Sequence, residues 1–153
     1  SAIFSRGETQ ALALVTLVVL VSPGPAQART PETTYQHDVL VKTNSARANH
    51  ERPKLRGEPC VQKYAVRQAK RMANQERMFH QELEPLLKAC DLSLVGENVG
   101  YGFPSGASVV QAWMGSPGHR ANILEGRFRL LGVGARRSED GTWYAAQVFG
   151  RKA

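Results

Sequence analysis

Apolar residues follow three different patterns along this chain. From Ala11 to Val21 every position except Thr16 is apolar, and the run stops abruptly at Ser22-Pro23-Gly24-Pro25. Further on, Tyr64, Ala65, Ala69, Met72 and Ala73 fall at helical spacing, with Lys63, Arg67, Lys70, Arg71 and Asn74 on the other side. That pattern predicts an amphipathic helix with a cationic outer face, opened by Pro59 and ending near Met78-Phe79-His80. An earlier helix is predicted from Thr33, which has capping-box spacing to Gln36, as far as Arg52, just before Pro53. A third covers Ala107–Met114, and Ser116-Pro117 reads as a cap and first-turn proline for a short helix through Leu124 that Gly126 closes. Alternation takes over at the end, where FRLLGVGARR and TWYAAQVFG read as two strands joined by a tight turn containing Asp140-Gly141. After a stretch interrupted by Pro85 the chain reaches Cys90 and then VGENVGYGF, and if this is extended Glu97 shares a face with Val95, Val99 and Tyr101.

The first apolar run is too short to span a bilayer, which takes about 20 such residues. It is followed by Ala26-Gln27-Ala28, small residues at the two positions a signal peptidase reads, and then by the polar start Arg29-Thr30-Pro31. Residues 1–28 are therefore expected to be a secretory signal peptide, residues 29–153 the folded domain, and the protein secreted. Composition changes the picture only slightly. The net charge of +7 belongs wholly to the domain, because Arg6 and Glu8 leave together with the leader. A domain of this length buries roughly two thirds of its unfolded surface, enough for an ordinary core.

Export bears on the two cysteines. Outside the cytoplasm Cys60 and Cys90 are expected to pair rather than remain two buried thiols. The spacing gives neither a zinc site nor a thioredoxin-type motif. Closing such a loop removes about 3 to 4 kcal/mol of unfolded-state entropy in the simple chain model.

No P-loop, GxGxxG, HExxH, EF-hand or GxSxG pattern occurs, which excludes the common phosphate cradles, zinc peptidase signatures and hydrolase elbows. The candidates for chemistry are Glu97, His80 and His119. A carboxylate among Val95, Val99 and Tyr101 costs several kcal/mol if charged and unpaired, so it needs a partner. Two imidazoles with a carboxylate can hold a divalent metal such as zinc, or form an acid and base set without one. The plainer alternatives are that His80 caps a helix end and His119 donates to a neighbouring loop.

Six ordered motifs carry a resemblance across nearly the whole chain from Tyr35 to Gly150. They are Asn44-Ser-Ala-Arg47 with Pro53-Lys-Leu55, Phe79-His80, Gly96-Glu97-Asn98-Val99, Trp113-Met-Gly-Ser116-Pro-Gly-His119-Arg-Ala-Asn122-Ile-Leu124, Gly132-Val-Gly134, and Gln147-Val-Phe149-Gly150. In these the chain resembles the CAP or SCP superfamily of cysteine-rich secretory, venom antigen and pathogenesis-related proteins, in particular its short bacterial branch. The resemblance implies an α+β fold, a three-layer α-β-α sandwich around a central antiparallel sheet, with a cleft lined by two histidines and two glutamates. His80 and Glu97 match the first histidine and one glutamate. The other glutamate position, three residues after the helix tryptophan, is Ser116 here, and Tyr144 stands where other branches carry the second histidine. His119 of the Ser-Pro-Gly-His segment is the replacement imidazole.

The family's members are described as binding sterols or fatty acids, as binding divalent metals and, in a few cases, as proteases. The leading expectation is a monomeric, non-catalytic or weakly catalytic domain without a transmembrane anchor, with His80, Glu97 and His119 at its cleft. It would bind a lipid-like, sterol or metal ligand, and the cationic helix face would meet an anionic cell-envelope surface. The alternative is a peptidase or cell-wall hydrolase in which Glu97 activates water. Ser116 with His119 suggests a nucleophile, but a serine before a helix-opening proline is more often a cap. Basic residues such as Arg67, Lys70, Arg71, Arg127, Arg129, Arg136 and Arg137 raise nucleic-acid binding, against which export argues.

Overall fold

The first helix begins where a threonine can cap it. The structure, a computed structural model describing residues 17–153, starts α1 (Pro31–Asn49) earlier than its sequence signature, because Thr30 rather than Thr33 supplies the cap. The Thr30 hydroxyl accepts the Thr33 N–H at 3.2 Å, and Pro31 occupies the first turn, where a missing N–H is harmless. Residues 17–30 have no regular structure, and Leu17–Val21 are exposed. The rest of the apolar run, Ala11–Thr16, lies outside the described residues. Among the described residues no helix is long and apolar enough to cross a membrane.

After the two-residue strand β1 (Arg56–Gly57) comes α2 (Pro59–Gln75), capped by the Glu58 carboxylate on the Val61 N–H at 2.8 Å. The helix stops short of the predicted Met78–His80 because Glu76 turns left-handed at φ 47° and the Arg77 N–H bonds back to the Met72 carbonyl. This frees Phe79 to pack against the cluster of Met72, Ala73, Val99, Tyr144 and Ala146. A short helix not expected from the sequence, α3 (Glu84–Ala89), has Pro85 in its first turn instead of being broken by it. Strand β2 (Leu92–Tyr101) follows, then α4 (Gly106–Met114), whose Ser105 and Ser108 cap each other reciprocally. The chain ends with α5 (Pro117–Ile123), β3 (Leu130–Arg137) and β4 (Trp143–Lys152). Gly141, at φ 85°, permits the tight connection between the last two strands.

The sheet order is β1-β3-β4-β2. It is not wholly antiparallel as expected, because the short β1 lies parallel to β3. The three layers are otherwise as expected. One face carries Leu130, Val148 and Val95 against α2 and α3, and the other carries Leu131, Val133 and Phe149 against α1 and α4. Gly132 and Gly134 explain their motif, since a Cβ at either position would fall on the backbone of Val61 or Ala65 in α2. Helix and sheet approach too closely there for any side chain. A disulfide joins Cys60, in the first turn of α2, to Cys90 at the end of α3.

The buried Arg47 guanidinium ties α1 to the segment between α5 and β3. It donates to the carbonyls of Pro53 (2.8 Å), Ile123 (2.9 Å), Glu125 (2.8 Å) and Phe128 (3.2 Å). Burial lowers its pKa, as do the neighbouring Arg129 and Arg52 charges. At the β3 edge, side-chain amides take the place of a neighbouring strand. Gln62 both donates to the Val133 carbonyl and accepts its N–H, and the Ala135 N–H donates to Gln36.

Two measurements test these packing claims. Gly134→Ala should cost about 2 kcal/mol or more in urea unfolding through forced overpacking, and a cost near zero would mean that α2 has room to move. Burial works against ionisation of Glu58, but the Val61 N–H, the Lys152 charge and the Cys60 N–H together hold its pKa below the usual carboxylate range. A depressed pKa gives stability that is present above the unfolded value and lost as pH falls through the folded one. Glu58→Gln should therefore cost about 1 kcal/mol at neutral pH, with the difference from wild type vanishing at acid pH.

Candidate functional site

β2 is an edge strand, and the candidate residues gather along its unpaired side. Alternation places Val95, Glu97, Val99 and Tyr101 on the α2 face and Gly96, Asn98 and Gly100 on the opposite face. The residues after α2 run past this edge and bring partners to Glu97. His80 Nδ1 lies 2.7 Å from Glu97 Oε1, the Gln81 side-chain amide donates to Oε2 at 2.6 Å, and the Gln81 backbone N–H donates to Oε1 at 3.3 Å. Gln81 is itself held by the Tyr64 carbonyl of α2. These three donors offset the cost of burying the carboxylate.

The two partners differ sharply in access: the Glu97 side chain is 0% exposed and that of His80 is 59% exposed. With Nδ1 donated to the carboxylate, Nε2 of His80 is the nitrogen left facing solvent. This changes the chemistry expected from the sequence, where Glu97 was the candidate base. The carboxylate orients the imidazole, and the imidazole is the group that can meet a ligand or a proton.

His119 is placed elsewhere. It sits in the first turn of α5, on the other face of the sheet, and its Nδ1 lies 2.9 Å from Ser116 Oγ. Ser116 is the N-cap residue, yet its hydroxyl makes no hydrogen bond to the helix and turns to the imidazole instead. The pleat explains the separation. Asn98, adjacent to Glu97 but pointing the opposite way, donates to the His119 carbonyl at 3.1 Å. The structure thus joins His80 to Glu97 and leaves His119 with Ser116. Among the described residues no three His, Cys, Asp or Glu side chains come together as a metal-binding group, so the trio does not fit a shared metal site. Tyr144 is a buried phenol stacked on Tyr101 at 5.8 Å, its pKa raised by burial and by the charges of Asp140 and Glu76.

A cleft of about 430 Å³ opens at this edge of β2, lined by Met78, Tyr101, Phe103 and Trp113, with Ser116 and His119 as its polar end. Of the three sequence candidates only His119 lines it. A larger concavity, about 760 Å³ between α1 and residues 54–57, contains none of the three. The cleft wall is built on satisfied strand carbonyls. Trp113 Nε1 donates to the Val99 carbonyl at 3.0 Å, and Asn122 Nδ2 to that of Glu97 at 3.1 Å. Sequence reasoning passed over Gln81, whose neighbours give no signal, and Asn122, which appeared only as a motif member.

The sequence pattern of the cysteine-rich secretory protein family, CAP, matches residues 40–149. The chain belongs to that family. Among its relatives, the uncharacterized protein YkwD of Bacillus subtilis is 30% identical in a match 146 positions long that takes in 85% of this chain and 56% of YkwD. An extracellular SCP-domain protein from Bacillus anthracis superposes with a TM-score of 0.70 at 27% identity, covering 83% of this chain and 45% of that one. An outer surface protein of Borrelia burgdorferi, 17% identical, shares the fold with a TM-score of 0.69 over 76% of this chain and 94% of its own. This CAP domain spans about half the length of YkwD and of the B. anthracis protein.

Glu97→Ala removes the acceptor for three donors at once. It should destabilise the domain by about 2 to 4 kcal/mol, read by urea unfolding, while Glu97→Gln should cost distinctly less. Equal, small losses would show that the buried carboxylate is not held as described.

Proposed function

We propose that this CAP domain is secreted and binds a small ligand with an apolar body and a polar head in the cleft at the β2 edge. The observation that carries the reading is the cleft's make-up. Met78, Tyr101, Phe103 and Trp113 offer an apolar wall, and the Ser116–His119 pair supplies convergent polar groups at one end, the composition expected of small-molecule sites. Met78 and Tyr101 are among the exposed large apolar side chains of the described residues, as at an open mouth. The described part of the apolar leader stays outside the core, and relatives are named as extracellular and outer-surface proteins. Both support export, with residues 1–28 as the leader.

A second reading is favoured by one observation, the orientation of His80 by Glu97. In a hydrolase His80 would take the proton of an attacking water through Nε2, while Glu97 stabilises the imidazolium through Nδ1.

Fluorescence titration of the purified domain with dansyl-labelled undecanoate tests the first reading. Wild type should bind in the micromolar range, Met78→Arg should abolish binding, and His119→Ala should weaken it about tenfold, the worth of one charge-assisted hydrogen bond. No binding, or binding indifferent to both substitutions, would overturn it. Turnover of a peptide or cell-wall substrate that is lost in His80→Ala and kept in Met78→Arg would establish the second reading instead.

A further inference from the structure

The cations of α2 are organised by neutral groups. Between Pro59 and Gln75 the helix contains Lys63, Arg67, Lys70 and Arg71 and no Asp or Glu. All four side chains are exposed, as is Arg77 just beyond the helix end. None of these five takes part in an ion pair among the described residues, where the pairs are His80–Glu97, Arg127–Glu125 and Lys152–Glu58. The guanidiniums are nonetheless positioned. Arg67 lies over the Tyr64 ring at 4.4 Å, and Arg71 and Arg77 lie over the Phe79 ring at 5.2 and 4.4 Å. Arg71 also donates to the Gln68 amide oxygen, and Arg77 to that of Gln75. Aromatic faces and amides hold the forks while leaving the charge unneutralised.

We infer that this face binds an anionic polysaccharide. Positions 63, 67, 70 and 71 share one side of the helix and span about 12 Å, a row suited to successive carboxylate, sulfate or phosphate groups on an extended chain. Guanidinium forks read such groups two oxygens at a time, and the rings of Tyr64 and Phe79 beneath them fix where those forks sit. A bilayer is the weaker match, because α2 presents no exposed large apolar side chain to insert among acyl chains. The inference rests on the extracellular reading above and is independent of the cleft.

The test compares dextran sulfate with neutral dextran, duplex DNA and phosphatidylglycerol vesicles, using residues 29–153 in physiological salt. Dextran sulfate should bind at least about tenfold tighter than DNA or vesicles, with affinity falling as salt rises, and neutral dextran should not bind. The triple variant Arg67→Ala, Arg71→Ala, Arg77→Ala should lose about 30-fold or more. A second triple that spares Phe79's partners, Lys63→Ala, Arg67→Ala, Lys70→Ala, should lose about tenfold and guards against misfolding of the first. Lys42→Ala, Lys54→Ala, Arg56→Ala removes the same charge from the α1 side and should stay within about twofold of wild type. Equal binding to DNA or vesicles, an equal loss in the control triple, or no binding to dextran sulfate would each overturn the inference. Dansyl-undecanoate uptake, read on the same samples, scores the cleft separately.

Discussion

Gln147 sits at the centre of a buried polar chain on which the arrangement of the layers depends. From β4 its amide donates to Thr43 of α1 at 2.6 Å and accepts from Asn98 of β2 at 3.1 Å. Asn98 passes the chain to α5 in two ways, donating to the His119 carbonyl and accepting from Asn122. Thr43, Asn98 and Gln147 are each 0% exposed, and among the described residues no buried side-chain nitrogen or oxygen lacks a partner. In a low-dielectric interior a network of this kind is costly unless complete, and when complete it fixes one packing among many apolar alternatives. It fixes the height of α5 over the sheet, and with it the position of Ser116 and His119 at the cleft.

The same requirement of satisfied backbone groups governs both sides of the sheet. Edge strands expose unpaired donors and acceptors. Here β2 is covered by an indole and an amide, and β3 by β1 and two glutamines. Arg47 does comparable work where three stretches of chain meet, a single guanidinium supplying donors to carbonyls after α1, at the end of α5 and in the segment before β3. The motif residues Arg47, Asn98, Asn122 and Gln147 therefore serve the architecture. Two motif pairs stand apart from that architecture, His80 with Glu97 and His119 with Ser116.

Periodicity made much of this legible in advance. The amphipathic stripe of α2 and the final hairpin follow from spacing alone, and alternation was sufficient to bury Glu97. β1 escaped because two residues make no pattern, and α3 because a proline before an apolar pair reads as a break when it is a first turn. The site was half legible. A buried carboxylate required a partner, and His80 was one of the two histidines named for that part. Glu97 is hydrogen-bonded to His80 and not to His119, since consecutive residues of β2 turn Glu97 and Asn98, the anchor of the His119 carbonyl, to opposite faces. No sequence signal marks Gln81, whose role depends on where the chain turns after Glu76.

The disulfide makes residues 60–90 a closed covalent ring whose two ends are adjacent in space, with Cα atoms 5.6 Å apart. α2, its cationic face, His80 and α3 all lie inside that ring. Tension applied along the chain from one terminus to the other passes across the bridge and bypasses everything within it. A domain pulled between its termini would let go of α1, β2 or the hairpin while the segment bearing the arginine row and His80 carried no load.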